Sequence, residues 1–251
     1  MLSLTLALVL SAANPPPVEA WAEKACPAPK KEPDSNVEFK AQLAARAECL
    51  KKAMNKALDK VLIPLKKKDP ATFKQWMALQ AGYNRWVADA CAAVEEAHWV
   101  DTSTGERTFG TGYGGTEQEC YQRQYAWRGF YADAWARNDW TAISTALDAF
   151  SKTAPKQQEQ VVEYQKRTQA AAANAPAQVQ ETADITRKLS KDDWKAYNER
   201  LERAASGPKT LAERQCALIP KAPPTCIESF QASLTSQMDF SDALAGAGQG
   251  G

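Results

Sequence analysis

The sequence predicts an all-α fold: a disulfide-tied antiparallel helical hairpin or bundle with a long loop and a helical C-terminal extension. Three observations lead to this prediction. Apolar residues recur at spacings of three and four over several long stretches, as on the buried face of an amphipathic helix. Strand-like alternation of apolar and polar residues does not persist anywhere in the 251 residues. The cysteines number six, and an even count favours disulfide bonds in an exported chain.

The chain opens with an apolar stretch, Leu2 to Ala13. This stretch is about as long as the core of a signal peptide and too short to span a bilayer. We assign residues 1–20 to a signal peptide and leader, with cleavage after Ser11-Ala12-Ala13 or after Val18-Glu19-Ala20. The alternative is an N-terminal stretch that packs on the core. No later apolar run approaches the roughly 20 residues of a membrane helix, so a periplasmic or secreted protein is expected.

The first predicted domain, residues 21–150, begins with a long helix. Residues 15–33 are proline-rich and are expected to be extended. Ser35 and Glu38 then form a capping-box pattern. The apolar stripe that follows comprises Leu43, Ala47, Leu50, Met54, Leu58 and Val61. Pro64 should kink or end this helix, because proline lacks the N–H donor and its ring clashes with the preceding turn.

A second helix starts at Asp69 and Pro70, which suit the N-cap and the first helical position. Its stripe comprises Phe73, Trp76, Gln80, Tyr83, Val87, Cys91 and Val94. The short connection predicts an antiparallel pairing with the first helix. From Trp99 to Gly115 the periodicity fails and glycines indicate a loop. Thr116 and Glu119 resemble a second capping box, and a short further helix is expected near Asp139.

Residues 151–251 form the predicted helical extension. Residues 156–184 are rich in Gln, Ala and Glu, which predicts either helix of undetermined packing or a partly mobile linker. Ser190 and Asp193 open a clearer helix, with one face made of Trp194, Tyr197, Leu201 and Ala204. Residues 246–251 are expected to be a flexible tail.

Spacing suggests three disulfides, although six cysteines allow 15 connectivities. The suggested pairs are Cys26 with Cys49, Cys91 with Cys120, and Cys216 with Cys226. A zinc cluster is the disfavoured alternative, because no C-x-x-C spacing occurs and His98 is the sole histidine. We therefore expect no metal site.

Charge is distributed unevenly along the first domain. Residues 38–74 carry a net +6, and residues 91–120 carry a net −5. The simple explanation is a solvated basic helix face beside an acidic loop. The functional alternative is a surface steered toward a charged macromolecule.

The residues suggest no catalytic or cofactor site. A Ser-His-Asp or Cys-His arrangement would have to use His98. The run Gly110-Thr-Gly-Tyr-Gly-Gly lacks the preceding strand and the Lys-Ser/Thr ending of a phosphate-binding loop. No carboxylate pair can be placed across a cleft from sequence. We expect a binding protein that is not an enzyme, has no cofactor and does not bind nucleic acid.

Four short fragments add a family pattern: Cys49 with Leu58-Asp59, Gln80-x-x-Tyr83-x-x-Trp86 before Cys91, Gly114-Gly115-Thr116, and Cys120 with Arg128. On these fragments, residues 49–128 resemble the LprI-like lysozyme-inhibitor family of exported bacterial domains. The resemblance implies a helical fold bridged between Cys91 and Cys120, with lysozyme as the candidate target.

An inhibitor of this kind would occlude the enzyme's cleft with the acidic loop. The candidate contacts, chosen from loop position, are Glu95, Glu96, Asp101, Glu106, Arg107 and Tyr113. Besides lysozyme, another envelope-targeting protein could be the partner. The alternatives are a structural or envelope-associated interaction protein without inhibitory activity, and a hydrolase that uses scattered acids.

Overall fold

The computed structural model describes residues 14–245, and it is 73% helical. The predicted leader core Leu2 to Ala13 and tail Gly246 to Gly251 lie outside the described residues. The helices are α1 Pro16–Ala25, α2 Asn36–Lys68, α3 Pro70–Trp99, α4 Gly115–Ala136, α5 Trp140–Ala173, α6 Lys191–Cys216, α7 Cys226–Thr235 and α8 Ser241–Ala245. The all-α, disulfide-stabilised fold class is therefore confirmed.

Helix α4 packs along both α2 and α3. It runs antiparallel to α3, because Cys91 meets Cys120 near one end and Gln80 meets Arg128 two to three turns away. It runs parallel to α2, since the Gln122 amide donates to the carbonyl of Leu43 and, further along, Lys60 pairs with Asp133. Helices α2 and α3 are consequently antiparallel, as expected, but α2 packs more extensively on α4 than on α3.

The C-terminal helices continue the same core. Helix α6 packs antiparallel to α3: the Trp86 indole donates to the carbonyl of Ala204 at 2.8 Å, and the Tyr197 hydroxyl donates to that of Ala93 at 3.2 Å. Helix α7 packs on α5 and α6. One contiguous apolar cluster includes residues from α1 through α7. The expected boundary at residue 150 falls inside α5, and the segments on its two sides share this core.

A small sheet accompanies the helices, although the sequence shows no sustained strand-like alternation. Its strands are β1 Val100–Asp101, β2 Glu106–Thr108, β3 Gln180–Ala183 and β4 Thr186–Lys188, in the antiparallel order β1-β2-β4-β3. Each strand has only two to four residues, and β2 and β4 show no alternation of burial. Hydrogen bonds between backbone groups hold these strands together, so the sequence does not need an alternation of apolar and polar side chains there.

Three segments are more helical than expected. Residues 16–25 form α1, because Pro16 and Pro17 occupy the first helical positions, where the missing N–H has no helical partner to lose. Helix α2 passes through Pro64, which is exposed and lies one turn before the helix ends. Helix α5, which was expected to be short, passes through the exposed Pro155 and continues to Ala173, so that most of residues 156–184 adopt the helical one of the two expected alternatives.

All three suggested disulfides are confirmed. Cys26 pairs with Cys49, Cys91 with Cys120, and Cys216 with Cys226, at Cα–Cα separations of 6.0, 5.4 and 6.0 Å. Among residues 14–245 no cysteine is free. Cys91 and Cys120 are both fully buried, so their bridge joins α3 to α4 inside the core.

Candidate functional site

The acidic segment between Cys91 and Cys120 is organised around a buried carboxylate. Glu95, on α3, is only 2% exposed. One of its oxygens accepts hydrogen bonds from the Gly114 N–H at 2.6 Å and the Trp99 indole at 2.7 Å, and the other accepts from the Glu117 N–H at 2.7 Å. Glu95 thus caps the N-terminus of α4 from a neighbouring helix, where a negative charge also complements the helix dipole.

This arrangement corrects two expectations. Glu95 lies inside the protein and not on a recognition surface. Helix α4 begins at Gly115 after the N-cap residue Gly114, which has no side chain to cap the helix, whereas a capping box was expected from Thr116. Gly114 has φ +93°, a left-handed conformation that glycine adopts without steric strain. The turn at Gly114 therefore brings its own N–H to Glu95, whereas the Gly115 N–H donates to the Gly112 carbonyl.

A second network holds the loop that precedes α4. The Arg107 guanidinium, on β2, lies 2.9 Å from the Glu96 carboxylate on α3. It also donates to the Tyr113 hydroxyl at 2.8 Å, and that hydroxyl donates to Glu96 at 3.1 Å. Burial and the negative charge of Glu96 raise the pKa of Tyr113. Three predicted contact residues thus form a closed network that ties α3, β2 and the loop together.

The remaining two predicted contacts, Asp101 and Glu106, face each other in the β1–β2 ladder. The Asp101 carboxylate accepts from the Ser103 N–H at 2.8 Å and from its hydroxyl at 2.7 Å. Burial favours a higher pKa for Asp101, but hydrogen bonds from Ser103 and Thr104 outweigh it and leave the pKa lowered. Much of the segment's negative charge is therefore bonded within the protein, which reduces the outward field that the sequence suggested.

The outer face of this region carries an apolar and cationic surface that sequence reasoning missed. We call it the Phe109 patch, and it comprises Arg107, Phe109, Tyr113, Ile185 and Arg187. The guanidinium carbons of Arg107 and Arg187, opposite each other on β2 and β4, each lie 4.7 Å from the Phe109 ring centroid. The Phe109 N–H donates to the Ile185 carbonyl at 2.7 Å.

Exposure makes this patch accessible. Phe109 and Tyr113 are each 37% exposed and Ile185 is 56% exposed. The sequence carries no signal for this pairing, because Phe109 directly follows β2, Ile185 directly precedes β4, and both strands are too short to show a pattern. Aromatic and arginine side chains are the types that are enriched at binding hot spots.

Two other residues of the family pattern, Gln80 and Tyr83, lie in the core beside Arg128, which is 4% exposed. Its guanidinium donates to the side-chain oxygens of Gln80 at 2.8 Å and Gln215 at 2.7 Å. It also lies 5.2 Å from the Trp76 and Tyr83 ring centroids. Burial lowers the pKa of Arg128. We call this group the Arg128 cluster, and it joins α3, α4 and α6.

The described region offers no assembled metal site. Within residues 14–245, no three or more His, Cys, Asp or Glu side chains are grouped so that they could hold a metal ion. His98 contacts the Trp99 ring edge-on, with centroids 5.2 Å apart. In the same range, no helix has both the length and the apolar character that crossing a membrane requires.

Comparisons of the chain with protein-family models, with curated proteins and with solved structures gave no match. Its function is therefore inferred from the arrangement of its own residues.

Proposed function

We propose that this chain is an exported, non-enzymatic binding protein and that the Phe109 patch is its recognition surface. The observation that carries the proposal is the exposure of Phe109, Tyr113 and Ile185 together on a locally rigid base. A cluster of large apolar side chains exposed beside a small sheet favours protein–protein contact.

The base of the patch is fixed before any partner arrives. Glu95 joins α3 to the start of α4, and Glu96 holds Arg107 and Tyr113 in place. The Cys91–Cys120 bridge closes the same segment. Side chains that are already ordered lose less conformational entropy on binding, so a patch built in this way favours affinity.

The cysteine chemistry supports the proposed location. Disulfides persist in oxidising compartments and are rare in the cytosol. The three bridges support a periplasmic or secreted protein, as does the apolar leader within residues 1–20.

Lysozyme is the target that we propose to test first, on the LprI-like resemblance of residues 49–128. Lysozyme works with two carboxylates in a sugar-binding cleft, so a protein can inhibit it by filling the cleft. Arginine is suited to carboxylate recognition because its planar guanidinium donates two parallel hydrogen bonds. Arg187, together with the exposed Phe109 ring, gives the patch groups that suit such a cleft.

An envelope-associated interaction protein without inhibitory activity is the second candidate. The specific observation in its favour is the exposed row of lysines on α2, which includes Lys52, Lys56 and Lys60. A cationic helix face favours association with an anionic partner.

Titration of lysozyme activity against the purified, oxidised protein tests the first proposal. We expect the protein, at micromolar concentrations, to inhibit at least one type of lysozyme. Replacing Phe109 with Ala should weaken the inhibition by about 30-fold, the effect of removing a binding hot spot. Val37→Ala is the matched control, since Val37 is an exposed apolar residue on α2 and not part of the patch.

Two results would count against the proposal. Wild-type protein that inhibits none of several lysozyme types at micromolar concentration would remove lysozyme as the target. Equal inhibition by the Phe109→Ala variant and the wild type, with unchanged circular dichroism, would remove the Phe109 patch as the contact surface.

A further inference from the structure

A large groove lies apart from the Phe109 patch, between α1, α2 and α4. Its volume is ≈ 1160 Å³, at or above the upper end of the range for ligand pockets. The Cys26–Cys49 bridge, which links α1 to α2, forms part of its lining. None of the candidate contact residues lines the groove, so it requires a separate explanation.

The α2 wall of the groove carries a row of small residues, one per helical turn: Ala45, Cys49, Ala53 and Ala57. Residues four apart lie above one another on the same helix face. Trp21 of α1 and Phe130 of α4 add aromatic surface to the lining. Small side chains at four-residue intervals allow a second helix to approach closely and to pack its own ridge against the row.

A second row lies beside the first and is charged: Glu48, Lys52, Lys56 and Lys60. Lys24 of α1 and Arg137, which directly follows α4, bring the cations of the lining to five, against the two acids Glu48 and Asp133. Asp133 already pairs with Lys60 at 2.7 Å and with Arg137. Glu48 lies 3.7 Å from Lys52. Within the described ranges, Lys24 and Lys56 have no carboxylate partner, so the rim has an excess of positive charge.

We propose that this groove binds an amphipathic helix of a partner protein, whose apolar face packs on the Ala45–Ala57 row and whose carboxylates, spaced four residues apart, pair with Lys52 and Lys56. From residue 45 to residue 60 the wall is about 22 Å long, or about four turns. Binding of a helix in an apolar groove is a recurring mode of recognition. Repeated cations along this length complement a ligand with several anionic groups and not a lipid with a single charged head.

The test uses a fluorescein-labelled, alanine-rich 20-residue peptide that carries Glu at every fourth position beside a row of Leu. Its matched control has Gln in place of each Glu. Fluorescence anisotropy with the full-length oxidised protein should show binding of the Glu peptide that weakens as salt increases. The Gln peptide should bind at least several-fold more weakly, because it lacks the charge complementarity.

Protein variants locate the site. The double substitution Lys52→Gln and Lys56→Gln should weaken Glu-peptide binding by about fivefold, as expected for the loss of two partly exposed ion pairs. The control is Lys66→Gln with Lys67→Gln, which removes the same charge from the end of the same helix, outside the lining residues. This control should change the affinity by less than about 1.5-fold. Ala53→Phe should also reduce binding by filling the groove.

Two outcomes would overturn the proposal: no binding of the Glu peptide at about 1 mM, or equal weakening by the two double variants. If the peptide does not bind, stoichiometric binding of palmitate would identify the groove as a lipid site instead. Lysozyme inhibition, measured on the same variants, is expected to be unchanged. A failure of the groove proposal is thereby distinguished from a failure of the Phe109 patch.

Discussion

Replacing Glu95 with Ala should destabilise the protein far more than its position in an acidic loop suggests. The substitution removes the acceptor of three hydrogen bonds, from the N–H groups of Gly114 and Glu117 and from the Trp99 indole. Each bond to a charged group contributes about 1.5 to 3 kcal/mol, and a buried donor without a partner costs about 1 to 3 kcal/mol. Water can reach part of the opened site. We therefore expect a loss of about 3 to 5 kcal/mol in the free energy of unfolding.

Urea denaturation followed by circular dichroism measures this loss, with the disulfides intact. Glu106→Ala is the matched control: Glu106 belongs to the same acidic segment but is partly exposed on β2. Its substitution should change the free energy of unfolding by less than about 0.5 kcal/mol. Glu95→Gln should fall between the two, because the amide keeps one acceptor but its NH₂ group cannot accept from the Glu117 N–H.

A loss of less than about 1 kcal/mol for Glu95→Ala would refute the assignment of Glu95 as the cap of α4. A loss of lysozyme inhibition without any loss of stability would instead return Glu95 to the role of a surface contact.

Three further predictions concern stability. Gly207→Ala should destabilise the protein by about 1 to 3 kcal/mol in thermal denaturation, because the added Cβ would overlap the Trp86 ring. Gly82→Ala is the control: its added Cβ would have neighbours at 3.4 Å or more, so the substitution should be neutral or stabilising by up to about 1 kcal/mol. Effects of the same sign in the two variants would contradict this prediction. Removing the Cys91–Cys120 bridge by a double Ala substitution should cost about 3 to 4 kcal/mol in urea, and a cost below about 1 kcal/mol would argue against it. Burial raises the pKa of Glu117 above its ordinary 4.5, so its ionisation destabilises the fold as pH rises through that range. Glu117→Gln should therefore raise Tm at pH 7 but not at about pH 4, and an equal rise at both would be evidence against the shift.

The sequence predicted those parts of the fold that repeat. The stripe from Leu43 to Val61 and the one from Phe73 to Val94 lie on long helices, because every third or fourth residue contributes to one buried face. Disulfide pairs were predictable from spacing, since short loops close readily. Helix α1 was missed although its signal was present: prolines at the first positions followed by Glu19.

The candidate site could not be predicted in the same way. The cap of α4 is Glu95, which lies 19 residues before Gly114, and side-chain caps are sought among immediate neighbours. The strands that bring Phe109 beside Ile185 are held by backbone hydrogen bonds, which leave no mark on residue type. The acidic composition therefore predicted the charge of the segment but not where its side chains point, and several of the carboxylates face inward to their hydrogen-bond partners.

The Arg128 cluster has a consequence for the order in which the chain emerges. Arg128 precedes Gln215 by 87 residues in the chain, so its guanidinium is synthesised well before the Gln215 amide that accepts one of its hydrogen bonds. Until then, burying the charge would leave it without that acceptor, which is unfavourable. We expect the leading part of the chain to keep Arg128 hydrated and its core loose until α6 has been synthesised, and to close when α6 packs against it. The final packing of α3 and α4 around Arg128 is therefore expected late in folding, after residue 215 is available.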